Sequence, residues 1–368
     1  MGQKKAIDTI LDALVDEQVS DVHFKVGSPP IIRRSGSIIH SEDFPKFTND
    51  HMVQITNEVM NEAQKKLLSS GIEVDLAYSL AGKARFRVNI YNQRGTPAMV
   101  MRKIPFEIPK LDELGLPKIV KQICSEQRGL ILVTGATGSG KSTTLAAMID
   151  QINQIRRAHI VTIEDPIEFL HTDKKCSICQ REVGIDTSSW PIALRAVFRQ
   201  DPDVILIGEM RDAETATVAL SGAETGHLVM STLHTTDAPE TINRIIDMFP
   251  AHQQKQIRIQ LGGLLKAVIS QRLLPSPEGD ERVLATEVLV HTATVGNCIT
   301  DPNKSHLIHE TMEQGGHQYG MQTFDMCLFN LLKNDQIDEE TALAAATNPN
   351  SLILKIKGVE SADDWRVE

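Results

Sequence analysis

The feature that most constrains this 368-residue chain is a phosphate-loop pattern, GLILVTGATGSGKSTTLAAM, at residues 129–148. An apolar stretch, which predicts a buried strand, leads into Gly135-x4-Gly140-Lys141-Ser142, and a helical pattern follows at once. Glycines let backbone N–H groups close around phosphate oxygens, and the start of a helix adds partial positive charge. The alternative is a glycine-rich loop that matches the pattern by chance. Such a loop would not be expected between a strand and a helix. The pattern therefore predicts a nucleoside triphosphate site.

Each part of the loop has an expected task. We expect Lys141 to reach the β- and γ-phosphates of ATP and the Ser142 hydroxyl to bind Mg²⁺. ATP and Mg²⁺ are thus the expected cofactors. The candidate nucleotide-binding residues of the loop are Gly135, Ala136, Thr137, Gly138, Ser139, Gly140, Lys141, Ser142 and Thr143.

After residue 117 short apolar segments alternate with longer helical ones, which predicts an α/β domain with a mostly parallel sheet. The spacing from Ala251 to Leu273 predicts a helix. Residues 282–290 (RVLATEVLV) predict a further strand, and the last seventy residues predict a largely helical region. The other predicted strands are Leu130–Thr134, His159–Glu164, Asp203–Ile207 and Leu228–Leu233.

The first hundred residues predict a smaller α+β unit. Residues 7–18 and 51–68 have helical spacing, VSDVHFKV alternates as a strand does, and ARFRVNIYNQRGTPAMVMRKI predicts two strands joined by a polar turn. Three prolines then break both periodicities and predict a linker. The predicted organisation is an N-terminal domain at 1–104, a linker at 105–117, an ATPase domain at 118–290 and a helical region at 291–368.

Two of the predicted strands deliver acids at their ends. HIVTIEDPIEF supplies Glu164, and DVILIGEMRD supplies Glu209. Ligands of an open parallel sheet bind beyond the carboxyl ends of its strands, so both acids should lie beside the phosphate loop. One acid should help to hold Mg²⁺ and the other should orient the attacking water, and the residues alone leave open which does which. For either acid alone, a solvated loop carboxylate is the alternative.

Five long segments stand in this order in the chain: GATGSGKSTTLAAMID, TIEDPIEF, QREVGIDT, ALRAVFRQDPDVILIGEMRD and AETGHLVMSTLHTTDA. Together they resemble the secretion ATPases of type IV pili and type II secretion, above all the pilus-retraction branch of PilT/PilU type. The resemblance implies a RecA-like P-loop ATPase domain preceded by a smaller PAS-like α+β domain. SDVHFKVGSPPIIRRSG and GMQTFDMCLFNLL extend it over nearly the whole chain.

The same resemblance implies roles for individual residues. Glu164 matches the catalytic acid, and Glu209 matches the Walker B acid, which would hold Mg²⁺ together with Ser142. Arg87 and Arg102 resemble arginine fingers, whose guanidinium groups would neutralise charge on the transferring phosphoryl group. Ordinary surface cations are the alternative for both. Further candidates for the finger are Arg85, Arg195, Arg199 and Arg211.

Two histidines bracket the predicted strand in HLVMSTLH, residues 227–234. A strand would separate them by roughly 23 Å, too far to share a metal ion. His234 follows the carboxyl end of the strand and is expected to sense the γ-phosphate, with a structural histidine as the alternative. His227 is included among the nucleotide-binding residues by resemblance alone. Cys176-x2-Cys179 is half of a zinc pattern, but the chain has no second CxxC.

The expected function is Mg²⁺-dependent ATP hydrolysis by a hexameric ring that drives type IV pilus retraction, and with it pilin depolymerisation and twitching motility. The expected partners are five further copies of the chain, an inner-membrane pilus platform protein and a second retraction ATPase. A formal net charge of −10 argues against nucleic acid. No apolar run approaches the ~20 residues that span a bilayer, so a cytoplasmic protein is expected. The resemblance further implies a location at the inner face of the cytoplasmic membrane.

Three alternative functions stay open. The first is an accessory motor of PilU type or a paralogous filament ATPase. It is raised by TVGNCITD at 294–301, which lacks both arginines of the A-I-R-N-L-I-R-E stretch in retraction motors. The second is a regulator that binds nucleotide without hydrolysing it. The third is a DNA-translocating ATPase or a general secretion ATPase. The acidic charge balance argues against the DNA-translocating function.

Overall fold

The computed structural model describes residues 5–16, 18–34, 36–81, 83–104, 107–278 and 282–359. The described chain divides into two compact units. The first runs to Glu107 and includes Glu168–Leu170, and the second comprises Ile108–Ile167 and the residues from His171 onward. Parts of all four predicted segments lie outside the described residues, namely 1–4, 17, 35, 82, 105–106, 279–281 and 360–368.

The first unit is a six-stranded antiparallel sheet with three helices. The strand order is β3-β2-β1-β6-β5-β4. The helices are α1 (Ala6–Leu14), α2 (Asn49–Val59) and α3 (Glu62–Ser69). The strands are β1 (Val19–Phe24), β2 (Ile31–Arg34), β3 (Ser37–His40), β4 (Val74–Leu80), β5 (Ala84–Gln93) and β6 (Thr96–Ile104).

Local sequence explains most of this unit. The predicted hairpin is confirmed as β5 and β6, which join at Arg94 and Gly95, both with positive φ (53° and 76°). The single helix predicted at 51–68 is wrong, because the chain leaves the helical conformation at Met60 and Asn61. The Asn61 side chain accepts from the Gln64 amide and starts a second helix.

The second unit is built on a seven-stranded sheet of order β13-β12-β7-β11-β10-β8-β9, in which only the β12–β13 pair is antiparallel. The five strands predicted here are confirmed to within a residue at each end, whereas β9 and β12 were not predicted. The strands are β7 (Gly129–Gly135), β8 (His159–Glu164), β9 (Ser177–Glu182), β10 (Val204–Ile207), β11 (Leu228–Leu233), β12 (Leu265–Pro275) and β13 (Arg282–Val290).

Helices connect these strands and dominate the end of the chain, which confirms the largely helical character predicted there. Short 3₁₀ segments lie at Leu111–Glu113 and Pro302–Leu307. The helices are α4 (Ile119–Ile123), α5 (Lys141–Ile155), α6 (Trp190–Val197), α7 (Ala213–Glu224), α8 (Ala238–Asp247), α9 (Ala251–Leu264), α10 (Ala293–Thr300), α11 (Ile308–Gln314), α12 (Gly316–Tyr319), α13 (Phe324–Lys333), α14 (Glu339–Ala345) and α15 (Pro349–Ile356).

One prediction in this unit is wrong. The helix expected from Ala251 to Leu273 ends at Leu264, and the chain continues as strand β12. Strand β12 pairs with β7 on one side and β13 on the other, so most of its side chains are buried. A short apolar run that is buried on both faces does not reveal its period, and pairing with the neighbouring strands decides its conformation.

The parallel strands place their carboxyl ends at one edge of the sheet, between two apolar layers that cover its faces. All residues of β7 and β11 are buried. This edge is therefore a rigid platform for the segments that follow β7, β8, β10 and β11. Across the described ranges we find no helix with the length and apolar character that crossing a bilayer requires.

Candidate nucleotide-binding site

The phosphate loop leaves the end of β7 and enters α5 at Lys141. Gly135 has φ 140°, and a Cβ there would lie 2.4 Å from the Gln271 carbonyl oxygen, so this position requires glycine. Gly140 precedes the helix with φ 91°, and none of the described side chains caps α5. An uncapped helix start at a glycine loop is an anion-binding arrangement.

Lys141 is folded onto its own loop. Its side chain is buried, and Nζ donates to the Gly135 carbonyl oxygen at 2.7 Å and to that of Ala136 at 2.9 Å. The nearby Ser139 is 4% exposed, and its hydroxyl has no partner among the described residues. A buried hydroxyl without a hydrogen bond is unfavourable, so an incoming phosphate oxygen would satisfy it. Both features fit a phosphate site.

Glu209 lies just beyond β10 and contacts two basic side chains. Its Oε2 is 2.6 Å from Arg211 Nη2, and its Oε1 is 3.3 Å from His234 Nε2. The hydrogen bond from Arg211 to this carboxylate raises the arginine's own pKa. The structure therefore brings Glu209 and His234 together at the carboxyl edge, as the strand pattern predicted.

Glu164 is the last residue of β8, on the strand next to β10. Its Oε1 accepts from the Thr162 hydroxyl at 2.6 Å and from Gln180 Nε2 at 3.1 Å. Thr162 is fully buried, and Gln180 belongs to the unpredicted strand β9. Two hydrogen bonds from rigid strands thus fix the orientation of the Glu164 carboxylate.

His227 lies at the opposite end of β11. Its Nδ1 is 3.0 Å from the Gly222 carbonyl oxygen, and its ring packs on Phe198 with 5.7 Å between ring centroids. Strand β11 runs beside β7 from Leu228 to Leu233, which separates His227 from the loop edge by roughly 20 Å. The structure does not bring His227 to the phosphate loop of its own chain.

Arg87 and Arg102 belong to the first unit, where they lie directly opposite each other on β5 and β6. The same register continues through Asp21 on β1 to Arg33 on β2. We call these four residues the arginine row. Asp21 is 5% exposed and accepts from Arg102 Nε at 2.9 Å, whereas the Arg102 side chain is 74% exposed. Burial alone would raise the pKa of Asp21, but hydrogen bonds from Arg102 and Ser20 lower it.

The described residues contain no group of three or more histidine, cysteine or acidic side chains placed to hold a metal ion. Mg²⁺ needs fewer, since it keeps several waters and binds through one or two protein oxygens together with phosphates. The Ser142 hydroxyl and the Glu209 carboxylate are oxygen donors of this kind, and they fit Mg²⁺. Cys176 is buried with its thiol 3.1 Å from the Arg156 carbonyl oxygen, whereas Cys179 is exposed.

Sequence reasoning missed several groups at this edge. Gln180 has no local signal, because its partner Glu164 is distant in sequence. Gln271 Nε2 donates to Thr144 Oγ1 at 2.7 Å and so ties β12 to the phosphate-binding helix, but this segment was expected to be helical. Arg211 has a signal, since it stands two residues after Glu209, but the sequence offers it only as a candidate arginine finger.

A strand, a glycine loop and a helix, with two carboxylates and a histidine at the same sheet edge, define an α/β nucleotide-binding protein of the phosphate-loop class. Residues 4–332 match the family described as Type II/IV secretion system protein. The chain belongs to this family and, within it, to the secretion ATPases of PilT/PilU type.

Individual relatives cover almost the whole chain. The type IV pilus retraction ATPase PilT of Pseudomonas aeruginosa is 43% identical over 345 residues, which are 94% of this chain and 99% of PilT. The type IV pilus ATPase PilU of that organism is 40% identical over 97% of this chain and 93% of PilU. A crystal structure of the pilus retraction motor PilT with bound ADP has a TM-score of 0.84 at 45% identity, and covers 95% of this chain and 99% of its own. The chain has similar sequence identity to PilT (43%) and to PilU (40%), so these values do not distinguish a PilT-like role from a PilU-like role.

Proposed function

We propose that this chain is a Mg²⁺-dependent ATPase whose hydrolysis of ATP drives retraction of a type IV pilus, and with it twitching motility. The observation that carries the catalytic part is the contact of Glu209 with His234 at the edge where the phosphate loop and Glu164 also lie. Similarity to the P. aeruginosa retraction ATPase over 94% of the chain supports the biological part.

In the proposed reaction Lys141 exchanges the carbonyl oxygens of Gly135 and Ala136 for phosphate oxygens of ATP. Glu164 orients a water for attack on the γ-phosphorus, and the bond to the oxygen that bridges the β- and γ-phosphates breaks. Such transfer depends mainly on positioning and on charge stabilisation. The hydrogen bonds from Thr162 and Gln180 supply the positioning of Glu164.

Ser142 and Glu209 are the proposed holders of Mg²⁺. The bound ion would neutralise charge on the β- and γ-phosphates. Glu209 must then release Arg211, and His234 becomes available to a γ-phosphate oxygen. His234 thereby distinguishes the nucleotide before hydrolysis from the product.

The proposed assembly is a homo-hexameric ring with a PAS-like first unit and a RecA-like second unit. Arg87 and Arg102 act as fingers on the nucleotide of a neighbouring subunit, and the high exposure of Arg102 supports this role. The ring lies at the inner face of the cytoplasmic membrane against a pilus platform protein, with a second retraction ATPase as a further partner and no role for nucleic acid.

Steady-state phosphate release tests the catalytic proposal. Glu164→Gln should lower kcat by about 10²-fold or more, because orientation of the water is lost. Lys141→Ala should abolish turnover, whereas Glu310→Gln, at an exposed acid of α11, is the matched control and should leave it unchanged. Equal rates for wild type and Glu164→Gln would overturn the role of Glu164. No release from wild type would favour the non-hydrolysing regulator.

A deletion strain tests the biological proposal. We expect the strain to accumulate surface pili and to lose twitching. Wild type should restore twitching, and Lys141→Ala should not. Normal retraction after the deletion would remove the primary role.

A PilU-type accessory motor is the second candidate, favoured by the missing arginines at 294–301, a segment that covers most of α10 and its C-cap. Expression in two strains, one without its retraction motor and one without its accessory motor, separates the roles. Rescue of the first strain supports the primary motor. Rescue of the second strain alone supports the accessory one.

A further inference from the structure

Thr232 is a buried residue of β11 to which the proposed reaction gives no role. It is next to last in the strand, two residues before His234, and it is 6% exposed. Its hydroxyl donates to the Gly208 carbonyl oxygen at 2.7 Å, and its own carbonyl oxygen accepts from the Met210 amide at 2.9 Å. Thr232 therefore holds the chain on both sides of Glu209.

Residues 208–210, which we call the acidic loop, are also tied to the strand on the other side of β10. The Gly208 amide donates to the Ile163 carbonyl oxygen of β8 at 2.8 Å, directly before Glu164. A Cβ on Gly208 would lie 3.2 Å from that carbonyl oxygen and 3.4 Å from Glu164 Cα. The acidic loop thus lies between β8 and β11 and contacts both strands.

The three hydrogen bonds of the acidic loop hold different groups. The two backbone bonds hold the amides of Gly208 and Met210, at the two ends of the loop. The peptide group between Gly208 and Glu209 is held through its carbonyl oxygen, for which the Thr232 hydroxyl is the donor among the described residues. Rotation of this peptide group changes ψ of Gly208 and φ of Glu209, and glycine offers little steric resistance to such a change. The hydroxyl therefore restrains the backbone from which the Glu209 side chain projects.

The position of the Glu209 carboxylate matters because Mg²⁺ is strict in its geometry. The ion requires near-octahedral coordination with oxygens at about 2.0–2.1 Å. Groups that orient a ligand without touching the metal strengthen metal binding for this reason. On a loop whose peptide group could rotate, the carboxylate would occupy several positions, and the binding of Mg²⁺ would weaken.

We propose that Thr232 is a positioning residue that fixes the backbone of Glu209 for the binding of Mg²⁺. The proposal rests on the role of Glu209 proposed above, and it adds the residue that orients this ligand. Because β11 also leads to His234, one strand then positions both the proposed Mg²⁺ ligand and the proposed sensor of the γ-phosphate.

The alternative is a threonine whose hydrogen bond only stabilises the fold. Thr56, in α2 of the first unit, has a hydrogen bond of the same kind. It is 2% exposed, and its hydroxyl donates to the Met52 carbonyl oxygen at 2.7 Å. Thr56→Val removes a buried hydroxyl by the same substitution as Thr232→Val does, so it is the matched control.

The affinity for a non-hydrolysable ATP analogue, measured with Mg²⁺ and with EDTA, tests the proposal without turnover. The ratio of the two affinities, which we call the magnesium gain, reports how much the ion strengthens nucleotide binding. Thr232→Val should lower the magnesium gain about 3- to 10-fold through loss of one hydrogen bond, with the affinity in EDTA within about twofold of wild type. Thr232→Ser keeps the hydroxyl and should keep the gain of wild type, as should Thr56→Val.

A further variant keeps the test valid if Thr232→Val folds poorly, as thermal unfolding would show. Thr232→Ala also removes the hydroxyl, but it places no methyl group against the Gly208 carbonyl oxygen. It should lower the magnesium gain as Thr232→Val does. A gain that falls equally in Thr232→Ser, or equally in Thr56→Val, would overturn the positioning role, because the hydroxyl at this site would not be the cause.

Glu209→Gln separates failure of this inference from failure of the proposed function. It should lower the magnesium gain at least as much as Thr232→Val. If Glu209→Gln keeps the full gain, or if wild type shows none, the proposed role of Glu209 is wrong, and that of Thr232 with it. If Glu209→Gln lowers the gain while the variants without the Thr232 hydroxyl keep it, the positioning role alone is overturned.

Discussion

At the scale of single residues, the arginine beside Glu209 bears on the proposed binding of Mg²⁺ by this acid. The Arg211 side chain is 58% exposed, and Glu209 is 21% exposed. Ion pairs this accessible to water contribute only about 0–1 kcal/mol to stability. The pair is therefore weak enough to exchange for the proposed Mg²⁺ ion.

Arg211→Gln tests this exchange. Removing the guanidinium should lower the Mg²⁺ concentration that gives half-maximal phosphate release by a few-fold, while the midpoint of thermal unfolding changes little. Lys121→Gln is the matched control, because Lys121 forms a 2.6 Å pair with Asp112 on an exposed surface, and it should leave the Mg²⁺ requirement unchanged. A higher Mg²⁺ requirement in Arg211→Gln would instead mean that Arg211 helps to hold Glu209 in place for the ion.

The sequence predicted those site residues that belong to a continuous motif or directly follow a predicted strand. Lys141 and Ser142 stand in a continuous motif, and Glu209 and His234 end neighbouring strands, so each could be placed without knowledge of tertiary contacts. Gln180 and Gln271 act on Glu164 and Thr144 across long sequence separations. Such partners are determined by packing, for which spacing in the sequence gives no signal.

At the scale of elements, α9 and α10 meet at two glycines. A Cβ on Gly296 would lie 2.9 Å from the Gly262 carbonyl oxygen and 3.0 Å from His291 Nε2. Gly296 stands where the stretch of the retraction motors has its first arginine. The close contact of the helices leaves no room for that side chain, so its absence is a requirement of this packing.

Gly296→Ala should therefore destabilise the protein by about 1–3 kcal/mol, because a backbone atom must move to admit the methyl group. Gly263→Ala is the matched control, since a Cβ there meets nothing within 4 Å. It should stabilise α9 by roughly 0.5–1 kcal/mol through helix propensity. Urea unfolding measures both changes, and a Gly296→Ala variant as stable as Gly263→Ala would contradict the tight crossing.

Elements were predictable where their pattern was strong and local. The apolar strands β7 and β11 and the polar turn between β5 and β6 are of this kind. Strand β9, SICQRE, contains too few apolar residues to stand out, and it forms by pairing with β8. Strand β12 continues the apolar run of α9, and only its two neighbouring strands determine where the helix ends.

At the scale of the whole molecule, the buried acid of β13 links stability to pH. The pKa of Glu287 rises from 4.5 to about 7 on folding. Between these values the unfolded chain has released a proton that the folded chain still holds. The contribution of Glu287 to the free energy of unfolding is therefore full below pH 4.5 and falls as pH rises towards 7.

Glu287→Gln removes this titration. The free energy of unfolding of wild type minus that of the variant should fall as pH rises from about 5 to 7, and should be nearly constant at higher pH. Denaturant unfolding at a series of pH values gives this difference. A difference that stays constant across that window would show that the carboxyl is already ionised in the folded protein.

The arginine row has a consequence for assembly. A free arginine loses up to about 2 kcal/mol of side-chain conformational entropy when it is immobilised. Asp21 already restrains Arg102, so part of that loss occurs when the first unit folds and not when a neighbouring subunit presents its phosphates. The subunit thus enters the proposed ring with its cation preorganised, as a rigid ligand does when it binds.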